Sequence, residues 1–209
     1  MVRTRVRLRF AKQGDLRWIG HRDLARCFER WFRRAGLPLS MSEGFHPKPR
    51  ISFPSALAVG IESVDEVLEL ELTEARQAGQ WLAALAPHAP PGVSIRSLEV
   101  LPAGAKKAQV GHVRYEVPVP PDRAAGVLGR IEQLRSSASW PVQRPNRDAP
   151  VDLLQSLQEV SLADGLLAMR LRTQRQASAG PREVLGALGL DDLERDGVFL
   201  TRTAVELSP

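Results

Sequence analysis

Hydrophobic and polar positions alternate at the start of the chain. In VRTRVRLRF, Arg3, Arg5, Arg7 and Arg9 interleave with Val2, Thr4, Val6, Leu8 and Phe10. A period of two marks a half-buried strand, expected over about residues 2–12. The period then changes. In HRDLARCFERWFRRAG, Leu24, Cys27, Phe28, Trp31, Phe32 and Ala35 fall three and four apart on one helix face, and Gly36 with Pro38 beyond supplies the stop. A short strand is expected at about residues 38–41, then the loop SEGFHPKPR, then extended chain at about 51–53. VDEVLELELT alternates again, with Leu68, Leu70 and Leu72 opposite Val67, Glu69 and Glu71. Thr73 is placed to cap a helix in EARQAGQWLAALAP, and Pro90, Pro91 and Gly92 lead into the strand VSIRSLEVL.

The second half repeats that order. PAGAKKAQ, residues 102–109, has no apolar period and reads as a linker. GHVRYEVPV predicts a strand and PPDRAAGVLGRIEQLRSS a helix begun by proline. Two apolar runs, VDLLQSLQEVSL and LLAMRLRT, flank Asp164-Gly165, a hairpin signal. GPREVLGALG predicts a helix and VFLTRTAVEL a closing strand. The expected fold is therefore α+β, two tandem ferredoxin-like βαββαβ units with antiparallel sheets, as domains 1–101 and 110–209. Helices would cover one face of each sheet. Val6, Leu8 and Phe10 would lie beneath them, leaving the arginines of the first strand on the open face opposite Glu69 and Glu71. There they would form cross-strand pairs worth a fraction of a kcal/mol each, about 0.2–1, or contact RNA directly.

Charge sharpens the picture. Residues 1–50 hold 13 Lys+Arg and 4 Asp+Glu, a balance of +9 inside an overall +5, so a basic pole sits on a mildly acidic remainder. Such asymmetry is the electrostatic footprint of a polyanion partner. The chain has no apolar run near the roughly 20 residues that span a bilayer, and its arginine-rich start has no apolar signal core behind it, so a cytoplasmic location without membrane contact is expected. Cys27 is the only cysteine, which excludes an intramolecular disulfide and thiolate metal clusters within the chain. The histidines at 21, 46, 88 and 112 match no metal-ligand spacing, so neither metal nor cofactor is expected.

Two segments carry the candidate chemistry. Arg22, Arg26, Arg30 and Arg33, with Arg34 beside them, project away from the Trp31 face; the stripe is either a solvated basic face or a phosphate-tracking one, since the guanidinium fork matches phosphate oxygens. The loop 42–50 sets His46 among two prolines, Lys48 and Arg50: a stiff basic binding loop, or a general acid/base site. Trp18 is the aromatic assigned to a base, with loop anchoring as its other role. The sheet is no standard RNA-recognition motif, because arginine and glutamate stand where stacking aromatics belong.

The run RFAKQGDLRWIGHRDLARCFERWFRRAGLPLSMSEGFHPKPRISFPSALAVGIES followed by DEVLELEL resembles the radical-SAM-linked protein family, a bacterial domain of unknown function found alone or fused C-terminal to radical SAM proteins. The likeness spans about residues 5–72, and VDLLQSLQEV and PREVLGALGL extend it. It marks Lys12, Gly14, His21, Asp23, Arg26, Arg34, Gly44, Phe45, Pro47, Pro49, Ser52, Phe53 and Gly60 as motif positions; Gly20 replaces a frequent serine, removing a hydroxyl cap before His21. The family name implies a radical SAM partner, and its members often neighbour genes of RNA metabolism. Without the three-cysteine cluster motif, this chain is not itself the radical enzyme. A looser likeness, through architecture and an H-x-D-L-x-R segment, is to the CRISPR RAMP proteins. The expected function is an RNA-binding accessory to a radical SAM enzyme acting on RNA, with tRNA and rRNA both open. Its binding set is Arg22, Arg26, Arg30, Arg33, Arg34, His46, Lys48, Arg50 and Trp18. The alternatives are a metal-independent endoribonuclease using His21 or His46, and a protein-interaction adaptor.

Overall fold

The computed structural model describes residues 4–144, 149–173 and 178–208. Arg3 of the first alternating run lies outside them. The fold is mixed α+β, with four α-helices among the described residues and antiparallel strand pairing, and the chain divides into two compact units, Met1–Gln109 and Val110–Pro209.

The first unit runs β1 (Thr4–Lys12), α1 (His21–Arg34), β2 (Ile51–Ser52), β3 (Glu62–Leu72), α2 (Ala78–Leu85) and β4 (Val93–Val100). β1 is central, paired antiparallel with β3 on one side and β4 on the other, and β2 adds to β3. The period of two in β1 sends Val6, Leu8 and Phe10 into the core, where Leu68, Leu70 and Leu72 of β3 meet Leu24, Phe28, Trp31 and Phe32 of α1. Phe10 and Phe28 pack with ring centroids 4.7 Å apart; the Trp31 indole N–H donates to Leu85 O at 3.1 Å, whereas the indole N–H of Trp81, buried in the same core, has no hydrogen-bond partner among the described residues. α1 ends through Gly36 at φ 68, a left-handed position that suits glycine.

Two details of this unit differ from the sequence expectation. Thr73 does not cap α2. That helix starts four residues later, where the Gln77 N–H donates to Gln80 Oε1 at 3.0 Å, while the Thr73 hydroxyl and N–H both donate to Pro38 O. Residues 38–41 make only isolated bridges, Leu39 to Leu72 and Met41 to Pro49, because prolines at 38, 47 and 49 remove ladder donors on both sides.

Arg7 faces Glu69 in the β1–β3 register and donates to its Oε1 from both Nε (3.2 Å) and Nη2 (2.9 Å). Arg9 reaches Asp65 at 2.6 Å instead of a β3 glutamate, and Arg5 donates to the carbonyls of Ala105 and Lys106. The open face is therefore not bare. The segment expected to be a linker lies across it, and the Ala108 N–H donates to Glu69 Oε2, leaving Glu69 only 3% exposed.

The second unit runs β5 (Val110–Pro118), α3 (Pro121–Ser136), a minimal pair β6 (Pro141–Val142) and β7 (Val151–Asp152), then β8 (Leu157–Ala163), β9 (Leu166–Arg172), α4 (Pro181–Leu188) and β10 (Thr201–Leu207). Its strand order is β10-β5-β9-β8. The Asp164-Gly165 turn joins β8 to β9 with both residues at positive φ, 50 and 74, as a two-residue hairpin requires. Among the described residues no helix is long and apolar enough to cross a membrane.

Candidate nucleic-acid interface

α1 is set by its own amphipathicity. Burying Leu24, Phe28, Trp31 and Phe32 turns Arg22, Arg26, Arg30, Arg33 and Arg34 outward, all five exposed. Gly20 is the N-cap residue, with extended backbone at φ −72, ψ 166 and no side-chain cap. Asp23 in the first turn and Arg33 and Arg34 in the last complement the helix dipole.

The loop 42–50 is held at its base. The Ser42 N–H donates to Lys48 O (2.8 Å), the Lys48 N–H returns to the Ser42 hydroxyl (2.9 Å), and the Arg50 N–H donates to Ser40 O (2.8 Å). Arg50 is part of the brace: its Nε donates to Met41 O at 3.2 Å and lies 3.7 Å from Glu71 Oε2. That guanidinium is structural in this arrangement.

Between α1 and this loop lies a groove of about 600 Å3. Its walls are His21, Arg22, Ala25, Arg26 and Glu29 from α1 and Pro47, Lys48, Pro49, Ile51 and Phe53 from the loop and β2. The α1 members recur at i, i+4 and i+8, so one helix face supplies them. Phe53 is partly buried against the core and holds His21 edge-on, ring centroids 5.3 Å apart.

The charge of the groove is positive. Arg22, Arg26 and Lys48 stand against one lining carboxylate, Glu29, and that carboxylate is engaged by Arg33 at 2.8 Å. Arg26 lies 3.5 Å from Asp23, but both are well exposed (75% and 65%), so the pair holds little energy, about 0–1 kcal/mol. Among the described residues Arg22 and the Lys48 ammonium have no ion-pair partner.

The structure thus brings Arg22, Arg26, Lys48 and His21 to one groove. Arg30, Arg33 and Arg34 sit on α1 outside its lining; Arg34 donates to His88 O at 2.9 Å. His46 is exposed in the loop and is not part of the lining that holds His21, although the adjoining Pro47 is. Trp18 ends the 3-10 turn Gly14–Trp18, half exposed, with the Arg17 guanidinium 5.2 Å from its ring centroid. The sequence marked Phe45 and Phe53 as motif positions but assigned the base to Trp18; that Ile51 and Phe53 floor the groove and that the Phe45 ring is fully exposed emerge only from the structure. The Glu29–Arg33 pair was legible as an i, i+4 spacing; the Arg34–His88 contact, across 54 positions, was not. Among the described residues no group of three or more His, Cys, Asp or Glu is placed to hold a metal ion.

The chain belongs to a family of uncharacterized proteins conserved in bacteria (DUF2344), whose model matches residues 5–182. No curated protein matches it.

Proposed function

We propose that this chain is an RNA-binding accessory protein whose groove between α1 and the loop 42–50 tracks a phosphate backbone. One observation carries the reading: Arg22, Arg26 and Lys48 converge on a single groove in which the sole carboxylate is already committed to Arg33. Phosphate oxygens supply the missing anions, and guanidinium forks bind them in pairs. Each unit is, on this reading, a ferredoxin-like βαββαβ fold, supported by a central first strand flanked by the third and fourth in both units. Recognition then uses a helix and a loop and leaves the β1 face to its ion pairs and the covering segment.

The likeness to radical-SAM-linked proteins supports a radical SAM enzyme acting on RNA as the partner. The single Cys27 provides no three-cysteine cluster, so the iron–sulfur chemistry would belong to that partner. Binding of RNA measured against salt tests the proposal. Each lost phosphate contact should flatten the slope of log affinity against log salt by about 0.7 for single strands. The variant Arg22→Glu/Arg26→Glu should lose two such increments while its thermal unfolding is nearly unchanged, since both side chains are exposed. An unchanged slope overturns the groove assignment. Discrete RNA fragments formed in EDTA and lost in His21→Ala or His46→Ala would replace it with the endoribonuclease reading.

A further inference from the structure

Phe45 is fully exposed, the most exposed of the large hydrophobic side chains. A phenylalanine is ordinarily buried or anchored, and a ring held wholly in water is a binding element in waiting. Its setting separates it from a floppy loop tip. The Ser42–Lys48 hydrogen bonds and the Met41–Pro49 bridge close the loop beneath it. Gly44 precedes it at φ 115, a conformation that favours glycine and turns the chain sharply just before the ring. Pro47 and Pro49 fix φ after it. The ring is presented by a braced hairpin, so little conformational freedom is left to lose on contact.

Its chemical surroundings select the occupant. His46 follows Phe45 directly, and Lys48, three residues on and so at most about 11 Å along the chain, lines the groove with Arg22 and Arg26. An aromatic face beside a row of cations matches alternating bases and phosphates, and an apolar protein partner would gain nothing from the cations. We infer that Phe45 is a base-stacking residue and that the ligand of the groove is RNA with unpaired nucleotides: one base stacks on Phe45 while the adjoining phosphates lie against Lys48, Arg22 and Arg26. A continuous A-form duplex keeps its bases inside and offers the ring no free face. Stacking of this kind tolerates any base, because every base has a π-face, so the ring contributes affinity for unpaired strands without fixing a sequence.

This inference rests on the groove binding RNA, and the experiment separates the two. Affinities of the full chain are measured for an oligouridylate carrying one 2-aminopurine and for a blunt-ended, fully paired RNA duplex of equal strand length. Phe45→Ala should weaken oligouridylate binding about 5- to 150-fold without changing its salt slope, and leave the duplex affinity unaltered. Phe45→Trp should restore binding, and the stacking quench of 2-aminopurine should vanish only in Phe45→Ala. Equal affinities of Phe45→Ala and wild type for oligouridylate, with a salt slope still dependent on Arg22 and Arg26, would overturn the stacking role and leave the groove reading intact. No binding of either RNA by wild type at low salt would overturn both, and capture of a protein lost in Phe45→Ala would then assign the ring to that partner.

Discussion

Glu206 on β10 lies between two guanidiniums: Arg170 donates to its Oε2 at 2.5 Å and Arg114 to its Oε1 at 2.7 Å. The Arg170 hydrogen bond above all, with burial opposing and Arg114 adding, holds its carboxyl down at about 2 instead of the ordinary 4.5. A carboxylate depressed on folding contributes stability that is fully present above pH 4.5 and disappears as pH falls from 4.5 towards 2. Glu206→Gln should therefore be less stable than wild type at neutral pH by on the order of 1–2 kcal/mol, allowing for screening at a site about a third exposed, and the difference should close by about pH 2. Urea midpoints taken across that window check it; a constant gap would show that geometry, not charge, was lost. Asp192, held down by Arg123, shifts in the same direction. Glu69 shows why pairing is easier to read than burial. The alternation of β1 and β3 placed Arg7 opposite it, yet its 3% exposure comes from residues 105–108 crossing the sheet, a contact 39 positions away that no local period encodes. The candidate site divides the same way, with the α1 stripe visible as a period and the commitments of Arg34 and Arg50 set by distant carbonyls.

At the scale of elements, legibility followed length and local chemistry. The nine-residue β1, eleven-residue β3 and fourteen-residue α1 repeat their periods often enough to declare themselves. β2, β6 and β7 have two residues each, too few for any period, and exist because a neighbouring strand offers hydrogen bonds. α2 illustrates competition between caps: Thr73 had the right side chain, but Pro38 O takes both its donors. α1 exposes a different gap, an N-cap with no side chain. A Cβ added at Gly20 meets nothing within 4 Å, and the backbone there is already extended with negative φ. Gly20→Ser should place a hydroxyl on the free N–H groups of the first turn and restrict the unfolded chain, stabilising the protein by about 0.5–1 kcal/mol. The denaturant midpoint should rise at constant m-value. A fall would mean that His21 or Arg22 had been displaced from the groove, which RNA affinity of the same variant would register.

For the whole molecule the decisive question is whether location or total charge attracts the ligand. The first unit carries 17 Lys+Arg and 11 Asp+Glu, the second 12 and 13, so the formal +5 divides into +6 and −1. In the second unit two of the sheet arginines are matched: Arg114 and Arg170 share Glu206 and Glu159. A long-range field depends on every charge within roughly the 8–10 Å Debye length at moderate salt, whereas counterion release depends only on cations that touch phosphate. Two double variants of the full chain separate these effects, because each lowers the formal charge from +5 to +1. Arg26→Glu/Lys48→Glu removes two groove cations; Arg172→Glu/Arg195→Glu removes two exposed cations of the second unit. If phosphate sits in the groove, the first should flatten the salt slope by about 1.4 for single-stranded RNA, two increments of 0.7, while the second leaves the slope at the wild-type value and slows association modestly at low salt. Equal slopes in the two variants would mean that the molecule attracts RNA by its net charge and that the groove has no privileged role.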